Sequence, residues 1–461
     1  MTEPDRADAT PLPVAVIGAG FSGTMAAIQL LARLSPGRGV LLCERAERFG
    51  PGRAYATGNP DHLLNVRAAN MSAYPDRPGH FTDWLAGFDE RVEPGIRVTP
   101  AGTFAARGLY GRYLAELLTG AVTGADALRL RLVNDAIIDI RQEDGRLSLH
   151  SAGGRTYAAA GAVLAMGNLV TPAEPPSRYR FDPWRSDAFA RLHPHLPIMI
   201  VGTGLTMVDA VMTLRRHGFE GRIVALSRRG LVPAVHAPAA SGPPPVLSDR
   251  ERTSLSALCV RIRTEVEAAV AAGTDWRGVI DALRPVTDQL WLGLPEAERG
   301  RFLRHLRPFW DVHRHRSAPP AGAAIAEAIA DGRLVVRAGR IVAIADGPGH
   351  ARVTFRPRGT EARETLDVQG ILDARGIGTV AGTQDPLLSR LIARGLVRPG
   401  PFGIGLDAAA DLSLRRDAGA PDARLWTLGP LLRGVFWECT AVPDIRNQAA
   451  ALAAAVAAAL P

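Results

Sequence analysis

Short apolar runs separated by an amphipathic segment open the chain. Residues 14–17 (VAVI) and 40–43 (VLLC) are continuous apolar runs, which are typical of buried parallel strands. Residues 24–34 between them place apolar side chains at helical spacing. The pattern therefore predicts a β-α-β unit at the amino-terminal end.

The same order of features starts again near residue 196. An apolar run at 196–201 is followed by a predicted helix over 207–216 and a strand over 222–226. Each half then closes on an apolar strand and a small-residue turn, at 162–167 and 370–376, so we interpret the chain as an internal repeat. Other predicted elements are helices near 82–85, 111–118 and 445–460, a meander of short strands at 128–133, 136–142 and 147–151, and strands at 334–338, 341–345 and 353–355.

A glycine-rich turn, GAGFSG at residues 18–23, joins the first strand to its helix. Glycines permit a tight bend and close backbone approach, and a dinucleotide pyrophosphate can rest on the N–H groups that begin the following helix. Glu44 follows Gly23 by 21 residues, where an acid accepts the ribose hydroxyls. The alternative is a turn that serves packing alone. The predicted FAD contacts here are Gly18, Gly20, Phe21, Ser22, Gly23 and Glu44.

A second glycine turn lies at residues 202–204, GTG, after the strand at 196–201. Met207 stands where a third glycine or alanine is usual, so the helix cannot pack as closely on the sheet there. The next strand ends in Ser-Arg-Arg rather than in an acid, which favours the 2′-phosphate of NADPH over NADH because guanidinium groups bind phosphate bidentately. A solvated strand end is the alternative. The predicted contacts are Gly202, Gly204, Leu205, Thr206, Ser227, Arg228 and Arg229.

Together these features predict an α/β fold with two Rossmann-like dinucleotide-binding domains and a helical cap. Residues 1–194 would form the first part of an FAD-binding domain, and residues 195–378 an inserted NAD(P)-binding domain. Residues 379–461 would complete the FAD-binding domain. The basic, helical segment 238–320 is too long for a plain connection and is interpreted as a cap over a site. Proline-rich stretches at 172–176 and 194–197 mark the crossing points.

The amino-acid composition excludes several kinds of chemistry and partner. All 54 basic residues are arginine, so a lysine Schiff base is excluded. The net charge of +8 is spread along a chain that also carries 46 acids, which argues against a nucleic-acid partner. No uncharged apolar run is long enough to predict a membrane span, and the polar residues 1–13 do not resemble a signal peptide, so we expect a cytoplasmic protein. The three widely spaced cysteines predict neither a redox pair nor a metal site.

Four further strings carry a resemblance to a known family. They are GPGRAY at 50–55, HLLNVRAANMS at 62–72, SRRG at 227–230 and WECTAVPDIR at 437–446. Together with the glycine turns they resemble the bacterial FAD/NAD(P)-binding proteins that include the HpyO-type FAD-dependent urate hydroxylase and the nitrosuccinate-forming aspartate N-monooxygenases. The resemblance covers nearly the whole chain and is specific for the family, not for a substrate.

The resemblance implies further FAD contacts. Arg53 and residues 65–72, named here the flavin loop, would line the pyrophosphate and isoalloxazine. The start of the final helix would lie near the flavin pyrimidine edge, where its positive end stabilises the anion formed on reduction. Pro443 and Asp444 are also an ordinary helix-start signal. The residues concerned are Arg53, Asn65, Val66, Met71, Ser72, Thr440, Ala441 and Val442.

Candidate substrate contacts are fewer. For an anionic, planar or amino-acid substrate we expect contacts from Arg67 in the flavin loop and from Arg314 and Arg316 beside Trp310. Residues 313–316 also fit a solvated basic turn. His62 and Glu438 are candidate acid–base groups, and a histidine beside two leucines is also typical of a structural role.

The predicted activity follows from the cofactors. Hydride would pass from NAD(P)H to FAD, and a C4a-hydroperoxyflavin formed with O₂ would hydroxylate a small polar metabolite. Urate hydroxylation stands first and N-hydroxylation of an amino acid second. An NAD(P)H oxidase or reductase and a non-catalytic flavin-binding regulatory protein are the remaining alternatives. The sequence leaves the substrate and the oligomeric state open.

Overall fold

The computed structural model describes residues 11–89, 91–143, 145–170, 175–185 and 187–460. Most of the polar residues 1–13 and most of the proline-rich stretch at 172–176 lie outside these residues.

Strands and helices alternate in both halves of the described chain. In chain order the strands β1 to β18 are Val14–Ile17, Val40–Glu44, Ile96–Thr99, Gly102–Ala105, Leu130–Asn134, Ile137–Glu143, Arg146–Ser151, Thr156–Ala159, Gly161–Leu164, Arg180–Phe181, Ile198–Val201, Ile223–Ser227, Leu334–Asp346, Ala351–Pro357, Glu364–Val368, Gly370–Asp373, Ser413–Arg415 and Pro421–Thr427. The helices α1 to α15 are Phe21–Leu31, Gly52–Tyr55, His80–Leu85, Arg107–Thr123, Asp187–Ala190, Leu205–Arg216, Asp249–Thr253, Leu255–Ala271, Trp276–Ala282, Thr287–Gly293, Glu296–Arg301, Arg307–Arg314, Pro319–Ala330, Pro386–Ala393 and Val442–Ala459.

The first sheet has six strands in the order β17-β18-β9-β1-β2-β5. Strand β1 lies at its centre and pairs in parallel with β2 and β9. Its residues Val14, Ala15 and Val16 are fully buried, as is typical of a central strand in a parallel sheet. The carboxyl end of β1 therefore opens directly onto the first glycine turn, at the edge where α/β sheets bind ligands.

The second sheet has seven strands in the order β10-β16-β11-β12-β13-β14-β15. Strands β11, β12 and β16 are parallel, and β11 lies between the other two. Strand β10 precedes residue 195 in the chain and yet pairs with β16 of this sheet. The sheet therefore repeats the central arrangement of the first one and adds an antiparallel extension through β13, β14 and β15.

Both sheets confirm the predicted α/β fold class, and two details differ from the sequence pattern. Strand β5 pairs in parallel with β2 and belongs to the first sheet rather than to the meander formed by β6, β7 and β8. The two strands predicted at 334–338 and 341–345 are one strand, β13, with a register shift between Ile341 and Ala343. Apolar spacing does not reveal such a bulge, because the chain stays extended through it.

Helices α7 to α12 lie within the predicted cap segment, and α10 packs against residues 434–437. The indole Nε1 of Trp291 donates a hydrogen bond to Gly434 O at 3.1 Å, and the Trp291 ring lies 5.0 Å from that of Trp437. The cap therefore contacts the segment that leads into α15. Within the described ranges, no helix is both long and apolar enough to cross a membrane.

Candidate functional site

The first glycine turn is built so that its backbone is accessible from the sheet edge. Gly18 has φ +100°, and a Cβ there would stand 2.5 Å from Ala165 O. A Cβ on Gly23 would stand 1.7 Å from Gly18 O, so α1 begins directly against the turn. Gly20 is the N-cap of α1 and no side chain caps that end. The first N–H groups of α1, on Phe21 and the following residues, are thus available to an anion.

Glu44 lies beside this turn at the end of β2. Its carboxylate accepts hydrogen bonds from the backbone N–H groups of Ala19, at 2.7 Å, and Ala46, at 3.0 Å. This is the position at which an acidic side chain would meet the ribose hydroxyls of a bound dinucleotide. The structure therefore brings the glycines and the acid together as the sequence predicts.

A second glycine-containing loop packs onto the first turn. Gly50 donates its N–H to Ala19 O at 2.8 Å, and a Cβ on Gly52 would stand 2.8 Å from the Cα of Gly20. Arg53 follows on this loop, but its guanidinium makes two 2.6 Å hydrogen bonds to the carboxylate of Asp182. A phosphate contact by Arg53 would require release of that exposed pair.

The flavin loop meets the start of α15, although about 370 residues separate the two in sequence. Arg446 of α15 donates to Ser72 O at 3.0 Å. Met71 and Ser72 are buried, and Val66 packs on the first core. Ala441 is the N-cap of α15 and has no side-chain cap, so that helix end is open to an anion. The positions predicted at 65–72 and 440–442 are therefore neighbours.

Two arginines share one carboxylate beside the flavin loop. Arg316 pairs with Asp281, and Arg67 approaches the other oxygen of Asp281 at 4.0 Å. Arg67 also donates from Nε to Ala101 O at 2.5 Å. Arg316 is 1% exposed, and its Nε and Nη1 have no hydrogen-bond partner among the described residues. This group, named here the Arg67–Asp281–Arg316 cluster, sets two guanidinium groups against one carboxylate. Arg316 is buried, whereas the side chains of Arg67 and Asp281 are 23% and 21% exposed.

Two further ion pairs join the cap to residues 438–444, which include the start of α15. Arg314 contacts Glu438 at 3.2 Å, and both side chains are less than one tenth exposed. Arg284 contacts Asp444 at 3.0 Å. Within the described chain, Nε of Arg314 and Oε1 of Glu438 lack a hydrogen-bond partner. The contact between the cap and residues 438–444 thus contains a cationic and an anionic side chain that each keep one unpaired polar atom among the described residues.

Burial also raises the pKa values of two acids near these ion pairs. Burial raises the pKa of Asp288 to about 6, although its Oδ1 accepts a 3.1 Å hydrogen bond from the N–H of Glu438. Burial likewise raises the pKa of Asp444 despite the neighbouring Arg284. Carboxylic acids with raised pKa values are typical of enclosed functional sites.

His62 lies elsewhere. Its Nε2 contacts Thr213 Oγ1 at 2.6 Å and Asp209 O at 3.0 Å on α6, and its Nδ1 contacts Thr57 Oγ1 at 3.0 Å. Arg107 of α4 pairs with the same Asp209 at 3.2 Å. These contacts place His62 at the junction between the first sheet region and α6, which favours its structural interpretation over an acid–base role.

His236, Asp281, Arg284, Asp288 and Asp444 were not among the predicted site residues. His236 donates from Nε2 to Asn65 O at 3.0 Å and so supports the flavin loop from the cap side. Asp444 belongs to a helix-start signal that the sequence shows. No local motif marks the other four, because each gains its position from contacts with distant parts of the chain.

His236 leads to a test of stability against pH. Burial, assisted by Arg316 and Arg67, lowers its pKa to about 4. The unfolded chain takes up this proton below about pH 6.5 and the folded chain does not, so its stabilising contribution is complete above pH 6.5 and is lost as the pH falls towards 4. In His236→Gln, which retains a donor for Asn65, we expect the urea-unfolding free energy to fall about 2 kcal/mol less than that of the wild type between pH 7 and pH 5. Parallel pH curves would contradict this.

The second glycine turn repeats the geometry of the first. Gly202 has φ +115°, and a Cβ there would stand 2.3 Å from Ala374 O, just as Gly18 faces Ala165. Gly204 is the N-cap of α6, and no atom lies within 4 Å of its Cβ position. Leu205 and Thr206 begin α6, so their N–H groups face the same edge. Met207 is fully buried in the second core.

Ser227 connects this turn to the two predicted arginines. Its Oγ lies 2.9 Å from Thr203 Oγ1 and accepts a hydrogen bond from the N–H of Gly230 at 3.0 Å. Arg228 is exposed. Arg229 stacks its guanidinium 5.0 Å from the centre of the Phe309 ring and donates to His305 O at 3.3 Å. Arg228 is thus the freer of the two for a phosphate. Among the described residues no cluster of three or more candidate ligands could hold a metal ion.

Comparisons with known proteins agree with this geometry. Residues 15–169 match a family model described as FAD-NAD(P)-binding, so this part of the chain is an FAD-NAD(P)-binding domain. The fold is similar to that of the ornithine hydroxylase of Pseudomonas aeruginosa, with a TM-score of 0.66, 15% identity and coverage of 98% of this chain and 100% of that one. No curated protein sequence matches the chain.

Two other solved structures share the fold. L-lysine 6-monooxygenase from Pseudomonas syringae has a TM-score of 0.64 at 16% identity and covers 98% of this chain and 100% of its own. The FAD-bound cadaverine monooxygenase of Erwinia amylovora has a TM-score of 0.63 at 13% identity, with coverage of 98% and 96%. At these identities the likeness establishes the fold.

Proposed function

We propose that the protein is an FAD-dependent, NADPH-consuming monooxygenase that N-hydroxylates a small amino acid. The observation that carries the proposal is the Arg67–Asp281–Arg316 cluster, because it sets two guanidinium groups against one carboxylate where the flavin loop meets the cap. A substrate carboxylate bound there would lie beside the loop that we expect to line the flavin.

The residues of the first glycine turn fit FAD. Its glycines leave no side chain over the start of α1, Glu44 stands at the ribose position, and the uncapped α15 faces the flavin loop. Bound FAD would supply hydride acceptance from the nicotinamide and the activation of O₂. The protein's part is to hold the pyrophosphate on the N–H groups of α1 and to stabilise negative charge on the flavin with the positive end of α15.

The charged groups at the contact between the cap and the flavin loop favour an amino acid over urate. Arg316 and Arg67 offer hydrogen bonds to a substrate carboxylate, whereas Glu438, with its free Oε1, offers an acceptor to a substrate amine. Urate also carries N–H donors, but it is an anion and brings no positive charge to the carboxylate of Glu438. Three proteins of similar fold are named as an ornithine hydroxylase, an L-lysine 6-monooxygenase and a cadaverine monooxygenase. These names also support an amine substrate over urate. We therefore place N-hydroxylation ahead of the urate hydroxylation that the sequence ranked first.

The test is product formation coupled to NADPH oxidation. Purified FAD-loaded protein would be given NADPH, O₂ and a panel of aspartate, glutamate, ornithine, lysine, cadaverine and urate, and hydroxylamine and hydrogen peroxide would be quantified together. We expect hydroxylamine from an amino acid and less from cadaverine, which has no carboxylate for the arginines. NADPH oxidation that yields only peroxide with every compound would support the oxidase alternative and contradict the proposal.

Arg228 provides a separate test of the reductant. Loss of a charge-assisted contact worth about 1.4 to 3 kcal/mol should raise the Michaelis constant of Arg228→Ala for NADPH by about tenfold to a hundredfold. The constant for NADH should change little, since NADH has no 2′-phosphate. Steady-state kinetics with both nucleotides provide the measurement. Equal effects on the two would refute a phosphate contact by Arg228.

A further inference from the structure

A cavity of about 320 Å³ opens beside the end of β12, and arginines dominate its walls. Three separate elements contribute to it: the loop after β12, the π-helical turn Phe302–Leu306 with the residues that follow it, and the hairpin of β13 and β14 with its outgoing turn. Its guanidinium groups belong to Arg228, Arg229, Arg304, Arg340, Arg356 and Arg358. We name it the arginine cavity.

Its charge is far from balanced. Glu361 is the acid in the lining, and it accepts a 2.9 Å hydrogen bond from Arg356. Six guanidinium groups against one carboxylate leave a formal charge of +5, that is, six minus one. This excess of positive charge in one concave site favours the binding of an anion.

The register of the hairpin sets two of these arginines against each other. Arg340 of β13 stands directly opposite Arg356 of β14. Like charges at directly opposed positions of an antiparallel pair are destabilising. The neighbouring pair is Gly339 and Pro357, and a Cβ on Gly339 would stand 2.6 Å from Arg356 O, so the two strands lie close together at this point. The hairpin thus brings two arginines to one part of the cavity wall, and Glu361 pairs with one of them, Arg356.

The cavity is continuous with the second glycine turn. Thr203, in that turn, contacts Ser227 at the end of β12, and Ser227 immediately precedes the cavity residue Arg228. Ser227 is also paired in register with Ala338, two residues before Arg340. A dinucleotide whose pyrophosphate rests on α6 would therefore place its adenosine ribose between β12 and β13, with the 2′ position towards the cavity.

We propose that the arginine cavity binds the 2′-phosphate of NADP(H), and that Arg340 and Arg356 of the hairpin act with Arg228 as the residues that select NADPH over NADH. This inference rests on the proposed function, since it requires the reductant to bind at residues 202–204. Arg340 and Arg356 would form a second wall of the phosphate site. They lie more than 100 positions after the Ser-Arg-Arg sequence at residues 227–229.

The experiment measures nucleotide binding rather than turnover. Adenosine 2′,5′-bisphosphate and 5′-AMP would be titrated calorimetrically into FAD-loaded protein and into its Arg340→Ala and Arg356→Ala variants. We expect each variant to bind the bisphosphate about tenfold or more weakly and to bind 5′-AMP within about twofold of the wild type. We also expect the melting temperature of the free variants to stay level or rise, because the opposed pair has been relieved.

Arg352→Ala is the matched control. Arg352 lies on the same strand, β14, but its guanidinium is paired with Asp367 of β15 at 2.7 Å and is not part of the cavity wall. This variant should retain the wild-type preference for the bisphosphate. A loss equal to that of Arg356→Ala would show a general effect of surface charge and overturn the assignment.

The remaining outcomes separate this inference from the proposed function. Hairpin variants that keep the wild-type ratio of bisphosphate to 5′-AMP affinity would overturn the inference, even if the wild type oxidises NADPH and hydroxylates an amine. Equal weakening for both nucleotides would also overturn it. If the wild type binds the bisphosphate preferentially but makes no hydroxylamine, the cavity assignment stands and the proposed reaction fails.

Discussion

We expect Gly20→Val to purify as a folded, colourless protein that cannot be reloaded with FAD. Gly20 has an ordinary extended φ of −74° as the N-cap of α1, and a Cβ there would stand 3.4 Å from the Cα of Gly52, so the backbone tolerates a side chain. The valine methyl groups, however, would occupy the space over the first N–H groups of α1 where the pyrophosphate must rest. Absorbance of the purified protein and far-UV circular dichroism provide the two measurements.

Gly120→Val is the matched control for this substitution. Gly120 lies in α4, and its Cβ position has no neighbour within 4 Å. This variant should purify with the flavin content of the wild type. A Gly20→Val protein that also retains FAD would show that the first glycine turn does not bind the pyrophosphate.

Removal of Arg314 should have the largest effect on stability. Arg314→Met leaves the carboxylate of Glu438 buried at 6% exposure without its ion-pair partner. Breaking one side of a buried pair costs about 3 to 5 kcal/mol, because the remaining charge is desolvated and uncompensated. We expect a loss of this size in the free energy of unfolding, measured by urea denaturation at pH 7.

The double variant Arg314→Met, Glu438→Met should recover most of that loss, since it removes the isolated charge as well as its partner. Arg352→Met breaks an exposed pair and should leave the unfolding midpoint unchanged. A single Arg314→Met variant as stable as the wild type would contradict the buried ion pair between the cap and residues 438–444.

The glycine turns were predictable because local backbone requirements define them. Gly18 and Gly202 both have positive φ, and both face a carbonyl at the end of the neighbouring strand. Because only glycine readily adopts this conformation, a glycine that directly follows an apolar run predicts each position. Glu44 was found for a similar reason, because its distance from Gly23 is fixed by one helix and one strand. The proposed boundaries at residues 195 and 378 stay predictions.

The buried charges were only partly predictable. Arg67, Arg314 and Arg316 were chosen as arginines near other signals, but their carboxylate partners were not. Asp281 and Asp288 lie on or beside short cap helices whose packing on the flavin loop and on α15 is set by contacts such as that of Trp291 with Gly434. No spacing rule relates residues that meet only through tertiary contacts.

Electron transfer from NADPH to FAD between the two proposed dinucleotide sites can be measured by mixing the purified yellow protein with NADPH under anaerobic conditions and recording the flavin absorbance near about 450 nm. We expect the band to bleach, and to do so at lower concentrations of NADPH than of NADH. A band that persists with both nucleotides, in protein that contains its full complement of FAD, would show that electrons do not pass between the two sites.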